Sequence, residues 1–176
     1  MKIKSIKVYK IGLPLKEGSY KWSHNNEVKE FDNTIVKIET DTNHFGFGEV
    51  CTLGSAYLPA YAKGVRSGIK EIGQSLIGQD PTNIISINNT MDQHLKGHPY
   101  VKSPLDMACW DLFGKFYKVP VWKLLGGKFG DSIDLYRAIS QEEPKIMSEK
   151  VKGYKKEGYK KFQLKVGGDP EIDIQR

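Results

Sequence analysis

A chain of 176 residues with 39% hydrophobic and 27% charged content is long enough to bury a core and to form one or two domains. No apolar run approaches the ~20 residues that a membrane helix needs, and Met1-Lys2-Ile3-Lys4-Ser5 alternates instead of building a signal-peptide core. The two cysteines, Cys51 and Cys109, form no Cys-x-x-Cys pattern, which fits a reducing cytoplasm.

Lys2 to Leu13 alternates and predicts a strand closed by Pro14. Leu15 to Glu30 reads as a polar loop, exposing Trp22 among Ser23, His24, Asn25 and Asn26. Thr34 to Thr40 and Phe45 to Val50 predict two more strands around a turn at Asp41 to Asn43. Helical spacing then covers Pro59 to Gly73, Thr82 to Leu95 and Pro104 to Tyr117. The last has Ser103 as its expected N-cap, Pro104 in its first turn and Asp106 completing a capping box. A short helix, Val121 to Leu125, ends at Gly126-Gly127.

The pattern then changes to strand (Ser132 to Ser140), helix (Pro144 to Glu157), strand (Lys160 to Val166) and a helix opening at Pro170. That order marks the start of a parallel α/β unit. The expected organisation is therefore an α+β domain over 1-127 and, over 128-176, the first two strands and first helix of an incomplete barrel.

The formal net charge of +6 raises nucleic acid as a partner. However, Lys145, Lys152 and Lys156 lie away from the apolar stripe Met147, Val151 and Tyr154, as on a solvated outer helix. No RNA-binding aromatic motif, zinc finger or basic zipper is present. Neither a nucleic acid nor a membrane is expected as a partner.

Lys165 is the leading chemical candidate. On an alternating strand it shares a face with Lys161 and Gln163, opposite Phe162, Leu164 and Val166. It also falls at the strand's carboxyl end, where α/β proteins bind ligands. A free lysine titrates near 10.4; burial or cationic neighbours can bring it to roughly 7–8, where it serves as a base. The alternative is the opposite register, with Lys165 simply solvated. Gln163 could hold the lysine or a substrate, or be a satisfied interior amide. Ser140 lies nearest the carboxyl end of the preceding strand and is a substrate-contact candidate. Trp22 and Tyr57, on two loops, could form a lid that receives a cation on an aromatic face, or pack back on their own domain. His94 and His98 have the spacing of a helical metal pair, but Gly97 and Pro99 disfavour helix there. No metal ligands are assigned in this chain.

Three segments together resemble the mandelate racemase/muconate lactonizing enzyme family of the enolase superfamily. They are Gly46-Phe47-Gly48-Glu49, Ser103 to Leu112 (SPLDMACWDL), and Pro120 to Gly127 (PVWKLLGG). The resemblance implies an α+β capping domain followed by a (β/α) TIM-like barrel, here with only its first strands. It also implies Mg²⁺ in the complete enzyme and abstraction of a proton α to a carboxylate. In the muconate lactonizing type a Lys-x-Lys strand carries an acid/base lysine second. The corresponding residues here are Gln163-Leu164-Lys165, so the resemblance gives Lys165 the catalytic position, with glutamine as companion. It points to the branch acting on proline betaines and hydroxyprolines, as epimerases or dehydratases, with a cycloisomerase as the alternative in the same superfamily. For such substrates Trp22 and Tyr57 would supply an aromatic wall.

The family's metal carboxylates and second lysine lie on later strands, so the Mg²⁺ ligands are expected to be absent from this chain. The expectation is an N-terminal part of a racemase/epimerase-like enzyme for a small carboxylate substrate, inactive alone. A second expectation is a noncatalytic capping-domain remnant or oligomerisation module, and the resemblance leaves a homo-oligomer open.

Overall fold

A computed structural model describes all residues, Met1–Arg176. In chain order the elements are β1 (Ile3–Pro14), β2 (Tyr20–Trp22), β3 (Asn26–Val28), β4 (Glu30–Thr40) and β5 (Phe45–Cys51). There follow α1 (Ala62–Leu76), α2 (Ile84–His94), α3 (Pro99–Tyr117), α4 (Val121–Leu124), β6 (Tyr136–Ile139), α5 (Pro144–Lys156), β7 (Lys161–Leu164) and α6 (Pro170–Gln175). They divide into two compact units. One comprises Met1–Leu13 with Phe31–Lys128, the other Pro14–Glu30 with Phe129–Arg176.

The first unit is α+β. Its three-stranded sheet has the order β1-β4-β5, and β4 pairs antiparallel with β5 through Val36↔Gly48 and Ile38↔Gly46. The period of two sends Thr34, Val36, Ile38 and Thr40 inward. They join Ile69, Ile72, Ile87, Met91, Leu105 and Leu112 in one buried cluster or at its edge. Gly46 and Gly48 let α3 lie directly on β5. A Cβ on Gly46 would stand 2.2 Å from the Ala108 carbonyl oxygen, and one on Gly48 1.8 Å from that of Pro104. α3 also finishes the sheet's edge: Asp111 Oδ2 accepts the Phe47 N–H at 2.8 Å, and Lys115 Nζ donates to the Phe45 carbonyl at 3.2 Å. Cys109 is fully buried on this helix, and burial pushes its thiol up to about 12.

α3 begins earlier than its sequence predicts. Pro99 occupies the first position, behind His98 in a left-handed conformation. Pro104 thus lies inside the helix, and Ser103 is not its cap. Asp106 accepts from Asn88 Nδ2 at 2.7 Å on α2, so the apparent capping box is a helix–helix contact. Both prolines satisfy first-turn chemistry in sequence; in the structure the extra turn carries Val101, which is buried against Gly68 on α1.

The second unit is built on a parallel pair, with Tyr136↔Lys161, Ala138↔Gln163 and Ile139↔Leu164 opposite one another. α5 covers one face, placing Met147 and Tyr154 on Ile139, with Val151, Tyr159 and Phe162 at the margin. Both strands are shorter than their alternation predicts. Gly167 and Gly168 turn the chain with φ of 129° and 105°, yet the Lys165 N–H still donates to the Ile139 carbonyl at 3.0 Å. Phe162 is half-buried under α5, while Leu164 and Val166 remain exposed. The stretch expected as a loop contains an antiparallel hairpin, β2–β3, with Tyr20↔Val28 and Trp22↔Asn26. His24 and Asn25 turn it in left-handed conformations, φ 62° and 57°, a region Asn tolerates better than most residues.

Candidate functional site

The carboxyl ends of β6 and β7 carry the site in the second unit. Beyond β6 come Ser140 and Gln141; beyond β7 come Lys165 and the turn Gly167-Gly168. A cavity of about 590 Å³ opens there, lined among others by Lys21, Trp22, Asn26, Gln141, Asp169 and Arg176. Its floor is cross-tied. Gln141 Nε2 donates to the Gly167 carbonyl, Asp173 Oδ2 accepts the Gly167 N–H at 2.6 Å, and Arg176 bonds Asp173 and the Glu142 carbonyl. These bonds join the loops after the two strands, which would otherwise be held only by their backbones.

The hairpin β2–β3 stands against the end of β6. Gln141 N–H donates to the Lys21 carbonyl at 3.1 Å, and the Lys21 N–H donates to Ser140 Oγ at 3.3 Å. Alternation within β2 places Tyr20 and Trp22 on one face, their ring centroids 6.0 Å apart. The Lys165 ammonium lies over the Tyr20 ring, 5.7 Å from its centroid. At that distance the ring's negative face attracts the cation. Ser19 and the ammonium groups of Lys29 and Lys21 hold the Glu27 carboxyl below the usual carboxylate range, keeping a negative charge on the neighbouring strand.

The structure thus brings Lys165, Tyr20, Trp22 and Ser140 into one unit. Lys165 is half-buried. Gln163 is exposed on the strand face opposite α5, level with Ala138. Ser140 is buried, with its hydroxyl oxygen used as acceptor by the hairpin backbone. Trp22 lines the cavity. Tyr57 belongs to the other unit, in a turn closed by its own N–H donating to the Gly54 carbonyl at 3.0 Å. Tyr20 escaped the sequence reading. Its signal was spacing: Tyr20-Lys21-Trp22 alternates, but three residues are too few for periodicity to reveal a strand.

No group of three or more His, Cys, Asp or Glu side chains is placed to hold a metal ion. Mg²⁺ requires near-octahedral oxygen ligation, so the residues of this chain do not fit it. His94 instead bonds the Thr90 carbonyl through Nδ1 at 2.9 Å, and Glu49 accepts from Asn33. No helix is long and apolar enough to cross a membrane.

Comparison with known proteins agrees with this geometry. Residues 23–126 match the family model of the mandelate racemase/muconate lactonizing enzyme N-terminal domain. The chain is 58% identical over 176 residues to the cis-3-hydroxy-L-proline dehydratase of Roseibium aggregatum, covering all of this chain and 48% of that enzyme. It is 31% identical to the N-succinyl-L-Arg/Lys racemase of Bacillus cereus over 100% of this chain and 47% of that protein. The crystal structure of the N-succinyl Arg/Lys racemase from Bacillus cereus superposes with a TM-score of 0.94 at 32% identity, again over all of this chain and 47% of that one. A magnesium-complexed enolase-superfamily member from Roseovarius nubinhibens gives 0.88 at 38% identity, over 99% of this chain and 47% of its own. The chain spans about half the length of the curated relatives it matches. An α+β unit, a parallel strand pair ending in a lysine, and relatives of this kind along the whole sequence agree: the chain belongs to the mandelate racemase/muconate lactonizing enzyme family of the enolase superfamily, with a capping-domain fold followed by the first strands of a (β/α) barrel.

Proposed function

We propose that the chain forms the N-terminal part of an enzyme that removes the α-proton of a small cyclic amino-acid carboxylate, with Lys165 as the base. The observation that carries this reading is the position of Lys165 at the carboxyl end of β7, beside Tyr20, in a chain 58% identical to a cis-3-hydroxy-L-proline dehydratase. Residues 1-127 serve as the capping domain and 128-176 as the beginning of the barrel. Gln163, Ser140, Trp22 and Tyr57 are the substrate contacts in this reading, and Tyr20 joins them. The exposed amide of Gln163 is the neutral hydrogen-bonding group nearest along the strand. Trp22 and Tyr57 supply aromatic surface for a secondary or quaternary ammonium.

In a 3-hydroxyproline the reaction balances as a loss of water. The base takes the α-proton, the electron pair is held on the carboxylate, and the 3-hydroxyl departs with a proton, leaving a C2–C3 double bond. In the cis isomer the hydroxyl and carboxylate share one ring face and the α-proton occupies the other. Lys165 on the proton's side therefore cannot also protonate the leaving hydroxyl, and a second acid on the opposite side is required. Returning the proton from that side instead would give epimerisation, the outcome favoured by the racemase and epimerase relatives. In this reading the Mg²⁺ ligands of the complete enzyme come from residues outside this chain.

The test is α-proton exchange in deuterium oxide with Mg²⁺, using the protein as isolated from its source and a panel of hydroxyprolines and proline betaines. Exchange or dehydration that falls by about 10²-fold or more in Lys165→Ala supports the reading. Activity unchanged by that substitution overturns it. An isolated mass matching the 176 residues, without exchange, favours the second reading of a capping-domain module that performs no chemistry.

A further inference from the structure

The hairpin that bears Tyr20 and Trp22 is attached to the βαβ layer through Glu17, which is not part of the cavity lining. Its carboxylate accepts from Arg137 Nη2 on β6 and from the Tyr154 hydroxyl on α5. The Arg137 guanidinium in turn lies over two aromatic rings, 4.4 Å from the centroid of Tyr154 and 5.4 Å from that of Tyr159. Those rings meet edge to face at 6.1 Å. One carboxylate therefore closes a circuit of β6, α5 and the segment leading into β2. The second attachment is at Lys21, whose N–H and carbonyl bond Ser140 and Gln141. Tyr20 lies between the two attachments.

We propose that Glu17 is a positioning residue: by fastening the approach to β2 onto Arg137 and Tyr154, it sets the Tyr20 ring beneath the Lys165 ammonium. The physical reason is the shortness of the hairpin. β2 and β3 each contain three residues, and an isolated two-stranded ribbon of that length has little stability of its own. Its register on β6 must come from outside the ribbon. A charge-assisted carboxylate–guanidinium contact, partly shielded and bonded also to a phenol, is among the stronger polar ties available. Burial and the Glu17 carboxylate both push the Tyr154 phenol up, which keeps it a hydrogen-bond donor. The anchor itself stands on geometry alone; its consequence for substrate placement rests on the function proposed above for Lys165.

Two nuclear magnetic resonance readouts on the 176-residue chain test it without any need for activity. The Lys165 ε-methylene resonance, assigned with Tyr20→Leu, reports the aromatic ring beneath it. Exchange of the Lys21 amide reports the hairpin's seat on Ser140. Glu17→Ala should move the Lys165 resonance toward its Tyr20→Leu position and speed Lys21 exchange about tenfold. Tyr154→Phe, which deletes one hydroxyl, should do the same to a smaller degree. Glu17→Gln, which keeps a carbonyl acceptor for Arg137 and Tyr154, should retain most of both readouts. If Glu17→Ala fails to fold, Tyr154→Phe and Glu17→Gln decide. An unmoved Lys165 resonance and unchanged Lys21 exchange in folded Glu17→Ala or Tyr154→Phe would overturn the proposal. A shifted resonance in a protein whose activity ignores Lys165→Ala would uphold the anchor and remove only its link to catalysis.

Discussion

The two units keep their shape by different means. The first buries a continuous cluster running from Ile3 through Val36, Ile38, Ile72 and Met91 to Leu112. Three helices and a sheet share it, and each fully buried aliphatic side chain contributes roughly 1.5–3 kcal/mol relative to exposure. The second has a core of three buried residues, Ile139, Met147 and Tyr154. It relies in addition on directed polar contacts: Glu17 with Arg137 and Tyr154, Ser140 with Lys21, Gln141 with Gly167, and Arg176 with Asp173. Non-directional burial yields a stable scaffold; directed contacts hold a few side chains in fixed places at lower local stability. The candidate site lies in the unit of the second kind.

The contrast breaks most sharply at Gly48. Its substitution by alanine forces a Cβ into the Pro104 carbonyl, a backbone atom that cannot turn aside. We expect Gly48→Ala to cost about 3 kcal/mol or more, read as a lowered midpoint of urea unfolding. A near-wild-type midpoint would mean that α3 can withdraw from β5.

Met147→Ala should separate the two units. It removes one member of the small core, at a cost of about 2–5 kcal/mol. Amides of α5 and β7 should then exchange rapidly while those of α3 stay protected. The Cys109 thiol, buried and pushed up to about 12, should remain inert to alkylation in this variant. Modification of Cys109 under native conditions would show that the larger core depends on the smaller.

The smallest effect concerns acid. Hydrogen bonds from Lys37, Lys7 and Ser5 hold the Glu39 carboxyl at about 2, below its ordinary 4.5. A depressed folded value stabilises the protein above the unfolded pKa, and that contribution fades as the pH falls from about 4.5 toward about 2. The contacts are solvent-exposed on the sheet, so the change in stability is small. Carbon-detected titration of Glu39 should show a midpoint near 2 that rises toward 4.5 in Lys37→Ala with Lys7→Ala.

Local chemistry made much of this legible in advance. The alternation of Ile3 to Leu13 and of Thr34 to Thr40, the helical stripe Val65-Ile69-Ile72, and the Asp169-Pro170 helix start all follow from period and capping. The position of Lys165 at the end of a strand followed from the same period. Features that depend on residues far apart in sequence were not legible. Ser103-Pro104 with Asp106 obeys the local rules of a helix start, yet the helix begins at Pro99, and the added turn buries Val101 against Gly68 on α1. The hairpin β2–β3 has no apolar alternation to announce it. Ser140 and Gln141 supply its backbone partners more than a hundred residues later. The sequence by itself thus determined most of the strands and helices and placed Lys165 at the carboxyl end of a strand, because those depend on neighbours within one or two turns. Tertiary structure alone decided that glycines 46 and 48 admit a helix, that Asp111 closes a sheet edge, and that Tyr20 meets Lys165. Each of these requires a close approach between distant segments, and no local propensity encodes such a distance.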